Sequence, residues 1–380
     1  MSERYFIAPL IFDGERGHLS SALAVKRGVV EEIVAQTAVP ENGDVTRFSS
    51  GMIAPGFVDL QVNGGGGVLL NDDTSAQGIA SICAAHRAYG VTSLLPTLIT
   101  DTPQRTGAAI AAAREAAKHK TVGFCGLHLE GPHLSIARKG THDPALIRPM
   151  TAADLDVLIA AKDGLETLLV TVAVESATPE QVKALAKSGV RVSLGHSDAD
   201  YDTAMKYFDA GATCVTHLYN AMSQLGNREP GLVGAALASG GVHAGLIADG
   251  FHVHPQSMKF ALLAKTGPGR IHLVSDAMST VGSDIKGLTL NGRRIYRKDG
   301  RLTLADGTLA GADTDMISSV RLVHEQLGVE RQEALRMAGL YPAQCIGRSD
   351  EIGALKPGSR ADFLHLSETL DVEAVYIGGV

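Results

Sequence analysis

The chain has 380 residues, 45% of them hydrophobic and 20% charged, with a formal net charge of −7. That balance supports a sizeable core, excludes wholesale disorder, and argues against nucleic acid as the main partner. No apolar run is long enough to span a bilayer, the opening "MSERYFIAPLIFDG" has no signal-peptide core, and Cys83, Cys125, Cys214 and Cys345 form no CxxC pair, so they read as reduced core thiols of a cytoplasmic protein without a membrane partner.

Residues 1–52 alternate over short runs broken by turn signals, which predicts a small β unit. The pattern then changes. Short apolar, β-branched runs recur at 56–62, 91–97, 121–129, 167–174, 190–195, 212–218, 242–249 and 270–276. Between them lie Ala-rich stretches such as "QRTGAAIAAAREAAKHK", whose apolar positions repeat at helical spacing. Eight strands, mostly followed by helices, predict an α/β fold, a (β/α)8 TIM-like barrel over residues 53–348. Residues 286–310 carry Asn-Gly and Asp-Gly turn signals and predict a β-hairpin insertion. Residues 349–380 add two more strands, which with 1–52 predict a small β-sandwich domain built from both chain ends.

Active sites of such barrels lie at the C-terminal ends of the strands. The predicted first strand ends in Gln61 and Asn63, two residues apart and so on one face, ahead of four glycines in "PGFVDLQVNGGGG". The third ends in "GLHLEGPHL" with His128, Glu130 and His133, the fifth in His196 and the sixth in His217. The seventh runs into Asp249, His252 and His254, and the eighth ends in Asp276. One histidine at a strand end is usually a structural hydrogen-bonder, but several reactive groups at one rim point to chemistry. Glu130, His196 and His217 suit a catalytic zinc or similar divalent ion with one position open for water. Asp276 is placed to take the water's proton and pass it to a leaving group. His128 reads as a core residue or a support to Glu130. His18, His86, His119, His324 and His365 fall outside the strand ends and read as structural or surface residues.

The segments "APGFVDLQVNG", "GLHLEGPHL", "KGTHDP", "LGHSDA", "THLYNAMSQLGNREPG", "ADGFHV", "LVSDAM", "DGTLAG" and "GALKPGSRADF" occur in order from about residue 50 to the C-terminus. Together they resemble the amidohydrolase superfamily and, within it, the N-acetylglucosamine-6-phosphate deacetylase family. The resemblance implies hydrolysis of N-acetylglucosamine 6-phosphate, a small amino-sugar phosphate, to glucosamine 6-phosphate and acetate, in amino-sugar catabolism or cell-wall recycling. It implies Glu130, His196 and His217 as metal ligands and Asp276 as general acid/base. It places His142 of "KGTHDP" at the acetamido carbonyl, and Asn220, Ala221, Arg228 and His252 at the sugar phosphate. It also implies a homodimer whose phosphate site is shared across the interface. The superfamily commonly carries His-x-His on strand 1, where this chain has Gln61 and Asn63. Amide oxygens are weak zinc ligands. One divalent ion per subunit is therefore expected, zinc first, with Fe2+, Co2+ or Mn2+ as alternatives. Gln61 and Asn63 are expected to hydrogen-bond the nucleophilic water, the ligand side chains or the substrate. Ala312 replaces a serine common in the family after "TLAG".

Three rivals follow. A deacetylase of the galactosamine epimer differs by one sugar hydroxyl. A binuclear amidohydrolase needs the missing His pair and often a strand-4 Lys, and "TLLVTVAVE" has none. A catalytically silent scaffold conflicts with the presence of Glu130, His196, His217 and Asp276 together.

Overall fold

The computed structural model describes residues 3–380. The eight expected strands form one parallel sheet at Phe57–Val62, Val91–Ile99, Leu127–Glu130, Leu168–Val172, Arg191–Leu194, Cys214–Val215, His243–Leu246 and Ile271–Leu273, numbered below as barrel strands 1 to 8. Each pairs with its neighbours in sequence. Both faces of these strands are covered, which is why they read as near-continuous apolar runs. The sheet closes on itself: Val62 bridges Ala277 in parallel, the Asp276 N–H donates to the Gln61 carbonyl at 2.9 Å, and the Gly64 N–H donates to that of Ala277 at 3.0 Å. Buried Asp59 completes the seam by accepting from the Ser275 N–H at 3.2 Å. The architecture is a TIM barrel.

Helices Ala76–Arg87, Pro103–Lys118, Ala152–Ala161, Pro179–Lys187, Tyr201–Asp209, Gly231–Ala238 and Pro255–Ala264 connect successive strands. Their starts are written in the sequence: Ser75, Thr102, Thr151, Thr178 and Asp200 each accept a backbone N–H of the first turn, and Thr151 and Thr178 form full capping boxes. Three further helices, Met316–Glu325, Arg331–Ala338 and Leu340–Cys345, follow strand 8. Ala343, Cys345 and Ile346 reach the barrel's internal core with Val58, Leu95 and Cys214.

Two strands are much shorter than their apolar runs. Strand 3 occupies only the end of 121–129 because Gly123 and Gly126 turn the chain with φ of +87° and +147°. Strand 6 is two residues of 212–218 because His217 (φ +29°) and Tyr219 (φ +77°) leave the extended conformation.

The insertion at 286–310 is not a hairpin. It is a three-stranded antiparallel sheet, Gly287–Leu290, Arg293–Lys298 and Arg301–Thr303. Asn291-Gly292 and Asp299-Gly300 each put two successive residues at positive φ, as tight two-residue turns require. Two turns make three strands. Leu288, Leu290, Ile295 and Leu302 pack down onto Ile99 and Met278 at the barrel mouth.

The chain ends meet in two further sheets. One orders Val29–Ala35, Ser21–Lys26, Arg4–Ile7 and Asp44–Arg47; the other orders Val372–Tyr376, Phe363–Leu366, Met52–Pro55, Leu10–Phe12 and Gly17–Leu19. Strand Met52–Pro55 runs across the expected boundary at 52/53. Phe6, Leu23 and Val25 of the first sheet share a core with Ile11, Ile53 and Phe363 of the second. Among the described residues no helix is long and apolar enough to cross a membrane.

Phe6 is fully buried and meets Phe363 edge-on at 4.8 Å and Tyr376 at 5.2 Å. Phe6→Ala is expected to cost about 3–5 kcal/mol, read as a lowered midpoint in denaturant unfolding. A loss below about 1 kcal/mol would show that this joint core is not needed to hold the two ends together.

Candidate active site

Along strand 3 the side chains alternate, so His128 and Glu130 share one face and Leu127 and Leu129 the other. His128 lies in the barrel interior. Its Nε2 is 2.8 Å from Thr171 Oγ1 and its Nδ1 3.2 Å from Thr97 Oγ1. Thr171, Thr216 and Ser193 continue the chain of hydroxyls at 2.7 Å each. Burial pushes the His128 pKa down to about 4, so it is a neutral member of a polar layer beneath the site.

Above that layer Glu130, His196 and His217 converge. The two imidazole Nε2 atoms are 3.0 Å apart, and Glu130 Oε1 lies 3.1 Å from His217 Nε2 and 3.3 Å from His196 Nε2. All three residues are buried. His196 Nδ1 is 2.8 Å from the Arg138 carbonyl, which only accepts, so Nδ1 carries a proton and Nε2 faces Glu130 and His217. His217 Nδ1 is buried without a partner. Burial alone would raise the pKa of Glu130, but hydrogen bonds and charge from His196 and His217 override it and hold the carboxyl well below its usual range. A carboxylate oxygen and two imidazole nitrogens at mutual distances of 3.0–3.3 Å in a buried site are a donor set that fits a divalent cation once the nitrogens give up their protons.

His142 also lies close, and Glu130, His142 and His196 have potential ligand atoms within 4.8 Å of one another. Its geometry differs. His142 Nδ1 accepts from the Thr100 N–H at 3.4 Å and pairs with Thr100 Oγ1 at 2.8 Å, so the proton sits on Nε2, which points past Glu130 Oε2 at 3.9 Å. Burial, then His196, pushes its pKa down to about 3. His142 is a neutral N–H donor facing the cavity, and His217 fits the third ligand position better.

Asp276 follows strand 8. The Gln61 amide donates to Glu130 Oε1 at 3.0 Å and to Asp276 Oδ1 at 3.1 Å, and the Asn63 amide donates to Asp276 Oδ1 at 2.8 Å. Burial and then the charge of Glu130 push the Asp276 pKa up to about 6. Gln61 therefore sits behind the carboxylates and does not line the cavity, while Asn63 does and keeps its buried Oδ1 unpartnered. The glycines after them are forced by crowding: a Cβ on Gly64 would lie 2.3 Å from the Val68 carbonyl, and one on Gly65 2.8 Å from His86 Nε2.

The site opens into a cavity of about 160 Å³ lined by Asn63, Glu130, His142, His196, His217, Asn220, Ala221, His252 and Asp276. Asp249 Oδ2 holds His252 Nδ1 at 2.6 Å. Asn220 donates to the His217 carbonyl at 3.3 Å. Arg228 is not brought in; it lies on the exposed loop 224–229. His133 bonds the Arg148 carbonyl and His254 caps helix Pro255–Ala264, both away from the cavity.

Several features carried no signal in the sequence. His196, His217, Ala221 and Asp276 all have positive φ (+47°, +29°, +48°, +50°) without being glycine. Such conformations gather at functional sites, where the surrounding structure enforces them. The Arg138 carbonyl, a backbone atom, fixes the His196 tautomer. Leu290 of the three-stranded insertion roofs the cavity, and Arg293 donates to the Thr141 carbonyl beside His142.

Residues 52–380 match the profile of the Amidohydrolase family. The chain is 40% identical over 378 residues to an N-acetylgalactosamine-6-phosphate deacetylase of Shewanella sp. (strain ANA-3), covering 97% of this chain and 95% of that one. It is 34% identical to the N-acetylglucosamine-6-phosphate deacetylase of Haemophilus influenzae, covering 94% and 93%. The crystal structure of N-acetylglucosamine-6-phosphate deacetylase from Pasteurella multocida superposes with a TM-score of 0.95 at 32% identity, covering 99% of this chain and 98% of that one. A barrel of this topology with a carboxylate and two imidazoles converging at its rim, matched in sequence over nearly its whole length, belongs to the amidohydrolase family.

Proposed function

We propose that this chain hydrolyses the acetamido group of N-acetyl-D-glucosamine 6-phosphate to D-glucosamine 6-phosphate and acetate, in the cytoplasm. The observation that carries the reading is the convergence of Glu130, His196 and His217 beside an amide-held Asp276. One divalent ion per chain, zinc first, would be held by Glu130, His196 and His217; when bound it supplies Lewis acidity that makes water a nucleophile near neutral pH. The chain's own groups do the rest. Asp276 takes the proton of the attacking water and returns it to the sugar nitrogen as the C–N bond breaks. His142 donates its Nε2 hydrogen to the acetyl oxygen, where negative charge develops. Gln61 and Asn63 hold the Asp276 carboxylate in place between the two transfers.

His252 and Asn220 are assigned to the sugar-phosphate end of the cavity. Arg228 is assigned to a phosphate across a homodimer interface. Its position outside its own cavity supports service to a second copy, and its planar fork suits phosphate. In this reading residues 53–348 form the catalytic unit, and 1–52 with 349–380 the β unit beside it. The C4 epimer, N-acetylgalactosamine 6-phosphate, is the second reading because a 40%-identical relative carries that name.

Acetate release from N-acetylated hexosamines with and without 6-phosphate, on metal-quantified protein, separates these readings. Turnover of the 6-phosphates is expected, with the glucosamine form preferred. Preference for unphosphorylated sugars would remove the roles of Arg228 and His252, and two tightly held ions per chain would contradict the single-metal assignment. Arg228→Ala is expected to raise KM for the phosphorylated sugar about 10–100-fold with kcat little changed. An unchanged KM would place the phosphate elsewhere.

Asp276→Asn is expected to retain its metal and lose at least about 100-fold in kcat. Near-normal turnover would remove Asp276 from proton transfer. The base must be ionised to act, so kcat/KM should fall as pH drops through the Asp276 pKa. Burial and Glu130 push that value up to about 6, and a bound cation moves it lower. An acid limb centred well above 6 would point to a different base.

A further inference from the structure

The barrel floor, at the end opposite the active site, holds two thiols that the proposed reaction does not use. Cys214 begins strand 6, and Cys345 ends helix Leu340–Cys345, which enters the barrel core from below. Their Sγ atoms are 2.8 Å apart although 131 positions separate them in sequence, against roughly 2.05 Å for an S–S bond. Both are buried. With His272, whose buried Nδ1 has no partner, they line a cavity of about 20 Å³ that reaches up to His128, Thr216 and His217 beneath the active site, room for one water-sized molecule.

His243, His272 and Cys345 also present ligand atoms within 4.8 Å of one another. The charge around them disfavours a divalent cation, however. Lys265, Arg191 and Arg270 all act on His243, and together with burial, the larger effect, they push its pKa down to about 4. Of these cations, Arg191 also acts on both thiols. The Cys214 thiol is lowered by its hydrogen bond with Cys345 against the opposing effect of burial, while the Cys345 thiol is raised by the same bond and by burial. Cys83 and Cys125 lie elsewhere, and burial raises both, Cys125 to about 12.

We propose that Cys214 and Cys345 form a reversible disulfide that staples the floor helix to strand 6, with hydrogen peroxide as the oxidant. A cavity this small excludes a bulky disulfide as the oxidant. The Cys214 thiolate attacks one peroxide oxygen and the O–O bond breaks, leaving a sulfenic acid and a hydroxide that takes up a proton and departs as water. The Cys345 sulfur then displaces the sulfenic hydroxyl, forming the S–S bond and releasing a second water. Two thiols and one peroxide become one disulfide and two waters, with two electrons passing from sulfur to oxygen.

The test treats the full-length, metal-loaded protein with peroxide, removes the excess, then denatures and alkylates it with N-ethylmaleimide. The reduced chain has four cysteines to label. The oxidised chain should take two labels, weigh two hydrogens less before labelling, yield a Cys214–Cys345 cross-linked peptide, and return to four labels after dithiothreitol. Its thermal midpoint should rise by about 5 °C. Cys214→Ser and Cys345→Ser should show neither cross-link nor rise. Four labels after oxidation, or oxygen added to one cysteine without a cross-link, would overturn the proposal. So would wild-type zinc of two ions per chain that falls by one in Cys345→Ser, which would make the cluster a metal site.

Discussion

The structure is organised around one crowded, buried polar cluster. Glu130 Oε1, His196 Nε2 and His217 Nε2 are held within 3.0–3.3 Å of one another in a buried site, where hydrogen bonds and charge from the two imidazoles keep Glu130 ionised. They stay because each is fixed from behind. The Arg138 carbonyl turns His196, the Gln61 amide draws on Glu130, and left-handed backbone at positions 196 and 217 aims both rings inward. Such a site is pre-arranged for a cation, and the cost of assembling it is met during folding rather than at binding.

What holds so many polar groups in one place is a scaffold with few soft degrees of freedom. The barrel provides it by putting each group at the end of a different strand in a closed ladder. Beneath the ligands, the His128, Thr171, Thr216 and Ser193 network replaces an apolar layer with directional bonds. Directional bonds fix side-chain angles where apolar packing mainly fixes volume. Lower still, the interior becomes apolar and is closed from below by Ala343, Cys345 and Ile346. The barrel thus has a polar half that orients chemistry and an apolar half that stabilises it.

The part of this legible in the sequence was the part governed by periodicity and residue type. Eight apolar runs gave eight strands, and Glu130, His196, His217 and Asp276 stand together because their strands end on the same rim. What escaped was decided by backbone geometry and distance in three dimensions. Strand 6 shrank because His217 turns left-handed, which no residue preference announces. The insertion read as a hairpin although it holds more turn signals than one hairpin uses, and its role as a roof depends on Leu290 reaching a cavity built by other segments. Gln61 and Asn63 share a strand face, yet only Asn63 reaches the cavity, because Gln61 is intercepted by two carboxylates. Cys214 and Cys345 are too far apart in sequence for spacing to suggest contact.

Under the single-metal reading, the two amides of strand 1 set what Asp276 can do. Imidazoles there would bring a second cation next to Asp276 and press its pKa down, favouring a permanently ionised bridging ligand. Amides carry no charge. They donate to the carboxylate, which lowers the Asp276 pKa somewhat, while burial and Glu130 raise it by more, and the balance comes to about 6. A carboxyl poised there can take a proton from water and release it to a nitrogen near neutral pH, which a metal-bridging carboxylate cannot do as readily. In the proposed mechanism, amide in place of imidazole exchanges a second Lewis acid for a carboxyl that cycles its proton, and it places the hydrogen bonds that orient that carboxyl on the seam where the barrel closes.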